Sequence, residues 1–411
     1  MASSEADTAE QTVDLIKLAA SALASSVAAS RPIRELARHA SGSLSHARLK
    51  LDGTLVTDAD FAAQHIIVDA MRKVSASVRI VGEESRRDAE KSRSRGFDST
   101  LWDAKDEQSE VGGIFQMALE EIERRYSQSV SFNSNVASTL SEADTGHTNT
   151  EGQPLVDTSS TVTTTSRVNT TVTSRIKASR VCVFIDPLDG TKSYSKGDYD
   201  AVTTLVAIIV DNVPMFGVIC KPFGHEGESS ILDSGCFAVY GGTLINGAFI
   251  AGGDECDRSK LYRQKLMLDS ERLDGQPKKV TLRAIISRSK AGGVVKRCID
   301  SLSDRGLLHR NPIFVSGAGA KALCLVCGTD NESLWFFPKE GTSLWDVAAA
   351  DAILRVMGGR LSDKDGNDLD YSKSRHDAEN SNGVVACSDV VLHAECIRLF
   401  HEEKWEDDDA Q

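Results

Sequence analysis

The chain has 411 residues, room for two or three packed units at about 150 residues each. Hydrophobic residues make up 40% and charged residues 26%, ordinary for a globular protein, and 60 acidic against 47 basic residues leave a formal net charge of −13. That balance excludes the broad basic face that general binding to a nucleic-acid polymer needs, and no run approaches the roughly 18 apolar residues of a membrane span. In chain order, Leu15, Ile16, Leu18, Ala19, Ala22, Leu23 and Val27 recur at helical period, predicting a helix over 11–29. A second helix is predicted over 59–73 and a short strand at Val78–Val81. From 86 to 180 the composition changes. One helix, Ile114–Arg125, is expected there, followed by a stretch rich in serine, threonine and asparagine over 127–179. Such a composition buries too little apolar surface to offset chain ordering and reads as a mobile surface insertion.

Order returns at Val181–Ile185, a buried strand by its continuous apolar content. Val202–Asp211 and Val213–Lys221 read as two strands joined in a hairpin at Asp211-Asn212. Strands then alternate (Cys236–Tyr240, Thr281–Ser287, Pro312–Val315, Ser333–Phe337) with helices (Ala291–Leu302, Ala318–Cys327, Trp345–Met357, Leu392–Glu402). The mixture predicts a layered α/β sandwich: an α+β part over 1–230 and an α/β part over 231–411. Most of the nine scattered cysteines sit in apolar runs, and the CxxC at Cys324–Cys327 has no second pair to complete a zinc site. Glu5, Asp7, Glu10 and Asp14 argue against an acid-poor transit peptide. A cytoplasmic location is expected.

The strongest local signal is Asp186-Pro-Leu-Asp189-Gly190-Thr191 after a strand. Proline and glycine fix a tight turn, and two carboxylates converging on one point repel each other unless a hard cation such as Mg²⁺ joins them. Two other acidic segments suit the same site: Glu83-Glu84 at a strand end, with Asp58 and Asp60 upstream, and Asp346 opening a helix. Asp351, half a turn further round that helix, reads as structural.

Together and in this order, Val56-Thr57-Asp58-Ala59-Asp60, Gly82-Glu83-Glu84-Ser85, Asp186 to Thr191, and Trp345-Asp346 followed by Gly358-Gly359 resemble the inositol monophosphatase superfamily of magnesium-dependent, lithium-sensitive phosphatases. The resemblance covers nearly all of the chain outside the insertion. It implies the layered αβαβα fold and a set of roles. Glu83, Asp186 and the carbonyl of Leu188 would hold a first Mg²⁺, and Asp186, Asp189 and Asp346 a second. A third ion, or its water, would sit near Asp60, which with Thr191 would help activate the attacking water. Main-chain amides around Gly190 and Thr191 would offer donors to a phosphate group. The segment before Asp58 lacks the proline often found before the valine, which removes no ligand.

Lys192, the Gly-x-Gly-x-Lys string ending in Gly319 and Lys321, and Ser287, Arg288 and Lys290 at a strand end resemble the branch that hydrolyses 3′-phosphoadenosine 5′-phosphate and related bisphosphate nucleotides. Extra cationic groups suit a doubly phosphorylated substrate. The small phosphorylated partner implied is therefore a bisphosphate nucleotide. An inositol polyphosphate 1-phosphatase or inositol monophosphatase activity is the alternative, and a catalytically inactive relative acting as a binding protein is the reading from another class. All five acids and Thr191 are present, which speaks for an enzyme. The insertion joins two ligand-bearing segments and is expected to leave and return beside the site mouth, as a lid or regulatory segment.

Overall fold

The computed structural model describes residues 11–39, 48–49, 55–85, 110–143, 174–224, 235–252, 282–328 and 331–405. Strand β1 (Thr12–Asp14) leads into helix α1 (Leu15–His39), whose first turn is fixed by Asp14 Oδ1 accepting from the Ile16 and Lys17 amides. The helix starts later and runs further than its apolar stripe suggested. Its buried serines stay satisfied by donating to carbonyls one turn back, as Ser25 does to Ser21 and Ser26 to Ala22. After the short hairpin β2 (Arg48–Leu49) and β3 (Leu55–Val56) comes α2 (Asp58–Val74), then β4 (Arg79–Gly82).

Helix α3 (Glu110–Ala143) corrects the expected insertion. The helical run was expected to stop at Arg125, yet residues 127–143 continue it; residues 144–173 lie outside the described residues. Ser127 and Ser131 donate to carbonyls four residues back, so serine does not compete with the helix here. Ala118 and Ile122 anchor it in the same core as α1, and Tyr240 donates to Glu121 at 2.7 Å. The chain returns through β5 (Arg175–Lys177), which pairs with β1, and a single 3₁₀ turn into β6 (Val181–Asp189). It thus enters β6 at Val181, the end opposite Asp189. The expected return beside the site mouth does not hold.

Strand β6 is followed by the one-turn helix α4 (Thr191–Tyr194), β7 (Thr203–Val210), β8 (Val213–Lys221), β9 (Phe237–Gly242) and β10 (Gly247–Gly252). The β7–β8 hairpin turns at Asp211 and Asn212, both at positive φ as a two-residue turn requires. A six-stranded sheet in the order β10-β9-β8-β7-β6-β4 results, antiparallel except for the β4–β6 pair. Strands β9 and β10 belong to this sheet, so the change of sheet falls after Gly252 and not at the expected 230/231 division.

The second sheet contains β11 (Arg283–Ile286), β12 (Ile313–Phe314), β13 (Glu332–Phe337), β14 (Arg360–Ser362) and β15 (Val384–Cys387), in the order β12-β11-β13-β15-β14. Helices α5 (Gly293–Asp304) and α8 (Val390–Glu402) cover its outer face. Helices α6 (Ala318–Cys327) and α7 (Leu344–Met357) lie between the sheets, while α1, α2 and α3 cover the far face of the first. The layers therefore run α, β, α, β, α, as expected. Cys324 and Cys327 fall on α6 within this packing. The inner layer is thin because small residues face it. A Cβ on Gly217 of β8 would lie 2.3 Å from the Ala349 carbonyl oxygen of α7, so glycine there permits contact between strand and helix backbones. Among the described residues no helix is long and apolar enough to cross a membrane.

Candidate active site

A strand alternates its side chains, so Asp186 and Asp189, three residues apart, would face opposite ways on a regular β6. The strand is bulged between them: Asp186 pairs with Leu205 and Asp189 with Thr203. The extra residue turns both carboxylates to one side, and Pro187, which has no amide to contribute to a ladder, occupies the bulge. The two acids thus lie in the end of the strand itself, and the turn expected at Asp186 begins only at Gly190, φ 87°.

Asp346 reaches the same point from another layer. Ser343 caps α7, and its amide donates to Asp346 Oδ2 at 2.6 Å in a reciprocal capping box. One carboxylate oxygen from each of Asp186, Asp189 and Asp346 lies within 4.8 Å of the others. Asp60 is oriented by the same device at the start of α2, where Thr57 donates to its Oδ2 from both amide (2.7 Å) and hydroxyl (2.6 Å). Its Oδ1 faces Thr191 Oγ1 at 3.1 Å, and that hydroxyl is also 3.1 Å from the Leu188 carbonyl.

Glu83 meets the Asp186 carboxyl through its side chain, and its main chain is held as well. Its amide donates to Ile185 O at 3.0 Å. Gln64 of α2 grips the next residue twice, donating to Glu84 O and accepting from its amide. Arg375 donates to the carbonyls of Gly82 (3.1 Å) and Glu83 (3.0 Å). Neither Gln64 nor Arg375 carries a motif, so sequence reading passed over both. The two capping residues could have been found, since Thr57-x-x-Asp60 and Ser343-x-x-Asp346 both match a capping-box spacing.

Burial raises the Asp186 carboxyl well above its ordinary range, and the charges of Glu83, Asp189 and Asp346 add to it. Asp346 is pushed up to about 8 by burial, with Asp189 next in importance. Asp189 is raised by burial, against the Gly319 amide and the Lys321 charge that favour its ionised form. Carboxylates so placed ionise together only with a compensating cation. The donor set is all oxygen, which fits a hard divalent ion such as Mg²⁺.

The Gly-x-Gly string brings α6 against Asp189. Gly319 N donates to Asp189 Oδ2 at 2.7 Å. Gly317, φ +79°, leaves no room for a side chain, since a Cβ would lie 2.6 Å from Ala201 O and 2.9 Å from Asp189 Oδ2. Lys321, 6% exposed, donates to Gly317 O at 2.8 Å, with its ammonium 5.3 Å from the Trp335 ring centre. A cavity of about 240 Å³ opens beside Asp189 and Asp346, walled by Ser287, Ser289, Lys290 and Lys321 together with Trp335 and Phe337. Arg288 is turned away, its guanidinium stacked 4.5 Å from the Phe314 ring centre. Lys192 is exposed on α4 and does not line the cavity. The structure thus gathers Ser287, Lys290 and Lys321 at the carboxylates but neither Arg288 nor Lys192.

The sequence profile of the inositol monophosphatase family matches residues 9–404. The chain is 29% identical over 209 residues to 3′(2′),5′-bisphosphate nucleotidase 1 of Dictyostelium discoideum, covering 49% of this chain and 58% of that protein. It is 29% identical over 235 residues to inositol monophosphatase 3 of Danio rerio, covering 56% of each. The chain thus spans less than three-fifths of the length of these curated relatives. Among solved structures it is similar to CysQ from Bacteroides thetaiotaomicron, a bacterial member of the inositol monophosphatase family, at 18% identity and TM-score 0.49, covering 90% of this chain and 97% of that one.

Proposed function

The chain belongs to the inositol monophosphatase family, and from that premise we propose that it is a Mg²⁺-dependent phosphomonoesterase acting on the 3′-phosphate of 3′-phosphoadenosine 5′-phosphate and related bisphosphate nucleotides. The observation that carries the substrate class is the cavity wall. Beside Asp189 and Asp346 it carries two lysines, Lys290 and Lys321, whose ammonium groups lie 5.8 Å and 5.3 Å from the ring centres of Phe337 and Trp335. Two cations beside the acidic group suit the extra charge of a second phosphate, and a relative bearing a bisphosphate nucleotidase name supports the same reading.

In this reading Glu83, Asp186 and the Leu188 carbonyl would hold one Mg²⁺, and Asp186, Asp189 and Asp346 another. Bound there, the ions would offset phosphoryl charge and acidify a water for attack on phosphorus. Thr191 donates to Asp60 Oδ1, so it would accept a proton from an attacking water while passing its own to Asp60, and Thr57 keeps Asp60 turned toward it. The Gly190 and Thr191 amides face the phosphate oxygens. A cytoplasmic location belongs to the same proposal, supported by cysteines set in apolar strands and helices, and cell fractionation tests it.

The test is phosphate release from 3′-phosphoadenosine 5′-phosphate, its sulfated analogue, inositol 1-phosphate, inositol 1,4-bisphosphate and fructose 1,6-bisphosphate, with and without Mg²⁺. Preference for the two nucleotides supports the proposal. Preference for an inositol phosphate moves the assignment to the alternative activity, and no release from any substrate favours an inactive binding protein.

A further inference from the structure

Arg79 and Arg375 each donate to main-chain carbonyls of the segment the other belongs to. Arg79, on β4, donates to Tyr371 O at 2.9 Å, Ser372 O at 3.0 Å and Lys373 O at 3.1 Å. Arg375 returns the grip, donating to Gly82 O and, through two nitrogens, to Glu83 O. The segment between them is anchored at its head by Tyr371, 1% exposed, whose hydroxyl donates to Asp351 Oδ2 at 2.9 Å and whose ring meets Phe184 edge-on at 5.8 Å. Asp351 is fully buried on α7, the helix that Asp346 opens, and accepts from Arg355 at 2.7 Å. A continuous chain of contacts therefore runs from the helix of Asp346, through Tyr371 and Arg375, to the backbone of Glu83.

We propose that residues 371–375 are a strap fixing Glu83 relative to Asp186 and Asp346, with Arg375 as a positioning residue for cation binding. The inference rests on the reading of Glu83 as a metal ligand. Glu83 needs such a device because it follows the last residue of a short strand, where the ladder ends. A planar guanidinium can hold two adjacent carbonyls at a set angle, whereas an ammonium offers a point charge. The contacts are to carbonyls and not to the Glu83 carboxylate, so they orient the ligand without neutralising it.

The experiment is a calorimetric titration of the full chain with Mg²⁺ and with Mn²⁺, without substrate and well below the melting midpoint. It compares the natural protein with Arg375→Met, Arg375→Lys and Tyr371→Phe. Arg375→Met should weaken the tighter cation step about tenfold, the range seen when residues supporting a metal ligand are lost. Arg375→Lys should recover part of that loss, and Tyr371→Phe should shift affinity the same way but less. Affinities within about twofold of the natural protein in Arg375→Met and Tyr371→Phe would overturn the proposal, as would a lowered melting point with unaltered affinity. If Arg375→Met does not fold, the other two variants decide. Because no substrate is present, a weakened cation step in a chain that hydrolyses no nucleotide would sink the proposed activity and leave the strap standing. Full hydrolysis with unaltered affinity would do the reverse.

Discussion

Asp60 and Asp346 are presented by one local device in two unlike surroundings. Each is the third residue of a helix, and each is drawn back onto the amide of a capping threonine or serine. Around Asp60 the neighbours are hydroxyl and amide donors from Thr57 and Thr191. Around Asp346 the neighbours are the acids Asp186 and Asp189, and burial among them pushes its carboxyl up to about 8. The capping box aims a carboxylate; what it faces decides whether it holds a proton or calls for a cation.

The largest expected effect separates the two surroundings directly. Asp346→Asn should reduce Mg²⁺-dependent phosphate release to background. It should also raise the melting point of the metal-free protein by roughly 1–2 °C, as relief of about 1 kcal/mol of charge crowding would in a chain of this length. Asp60→Asn should impair turnover without that stabilisation. If the two variants melt alike in chelator, the contrast fails.

Next comes pH. The folded-state pKa values of Asp186, Asp189 and Asp346 are all raised above the unfolded ones. Their contribution to stability is therefore present in acid and lost as pH rises from about 4 through about 8. Denaturant midpoints of the metal-free protein should fall over that range, and Mg²⁺ should remove the fall. A flat profile without metal would show that these carboxyls do not interact as placed.

Lys321→Ala should then sharpen the substrate side, lowering turnover of a bisphosphate nucleotide more than that of an inositol monophosphate. Equal losses would make Lys321 a counter-charge for Asp189 and Asp346 rather than a substrate contact, a role its burial also allows.

A last effect lies away from the site and leaves turnover untouched. His393, 3% exposed and 2.8 Å from Ser362 Oγ, is lowered to about 4 by burial and the nearby Arg360 charge. It stays neutral in the fold while the unfolded chain takes up a proton, so stability drops as pH falls from about 6.5 to 4, by at most about 3 kcal/mol. His393→Gln should flatten that acid limb.

Much of this was legible in the sequence because it is local. Helix α2, the β7–β8 hairpin and helix α6 carry their period or turn residues within a dozen positions, and the three acidic segments announce themselves by composition. Strands β1, β5, β14 and β15 were not legible: they span three or four residues each and exist only through pairing with distant partners. The continuation of α3 past Arg125 was hidden by serines that bond back within the helix. The bulge that swings Asp186 and Asp189 to one side is set by its register against β7, and the grip of Arg375 on Glu83 joins residues 292 positions apart. Such features follow from tertiary pairing, which periodicity does not encode.

The most direct test counts bound cations. Titrated with Mn²⁺ and followed by electron paramagnetic resonance, the natural chain should bind at least two ions. Asp346→Asn should lose one of them, and Asp186→Asn, whose carboxylate would serve both sites, should lose both. Unchanged stoichiometry in both variants would contradict the convergence of these carboxylates on a common metal centre.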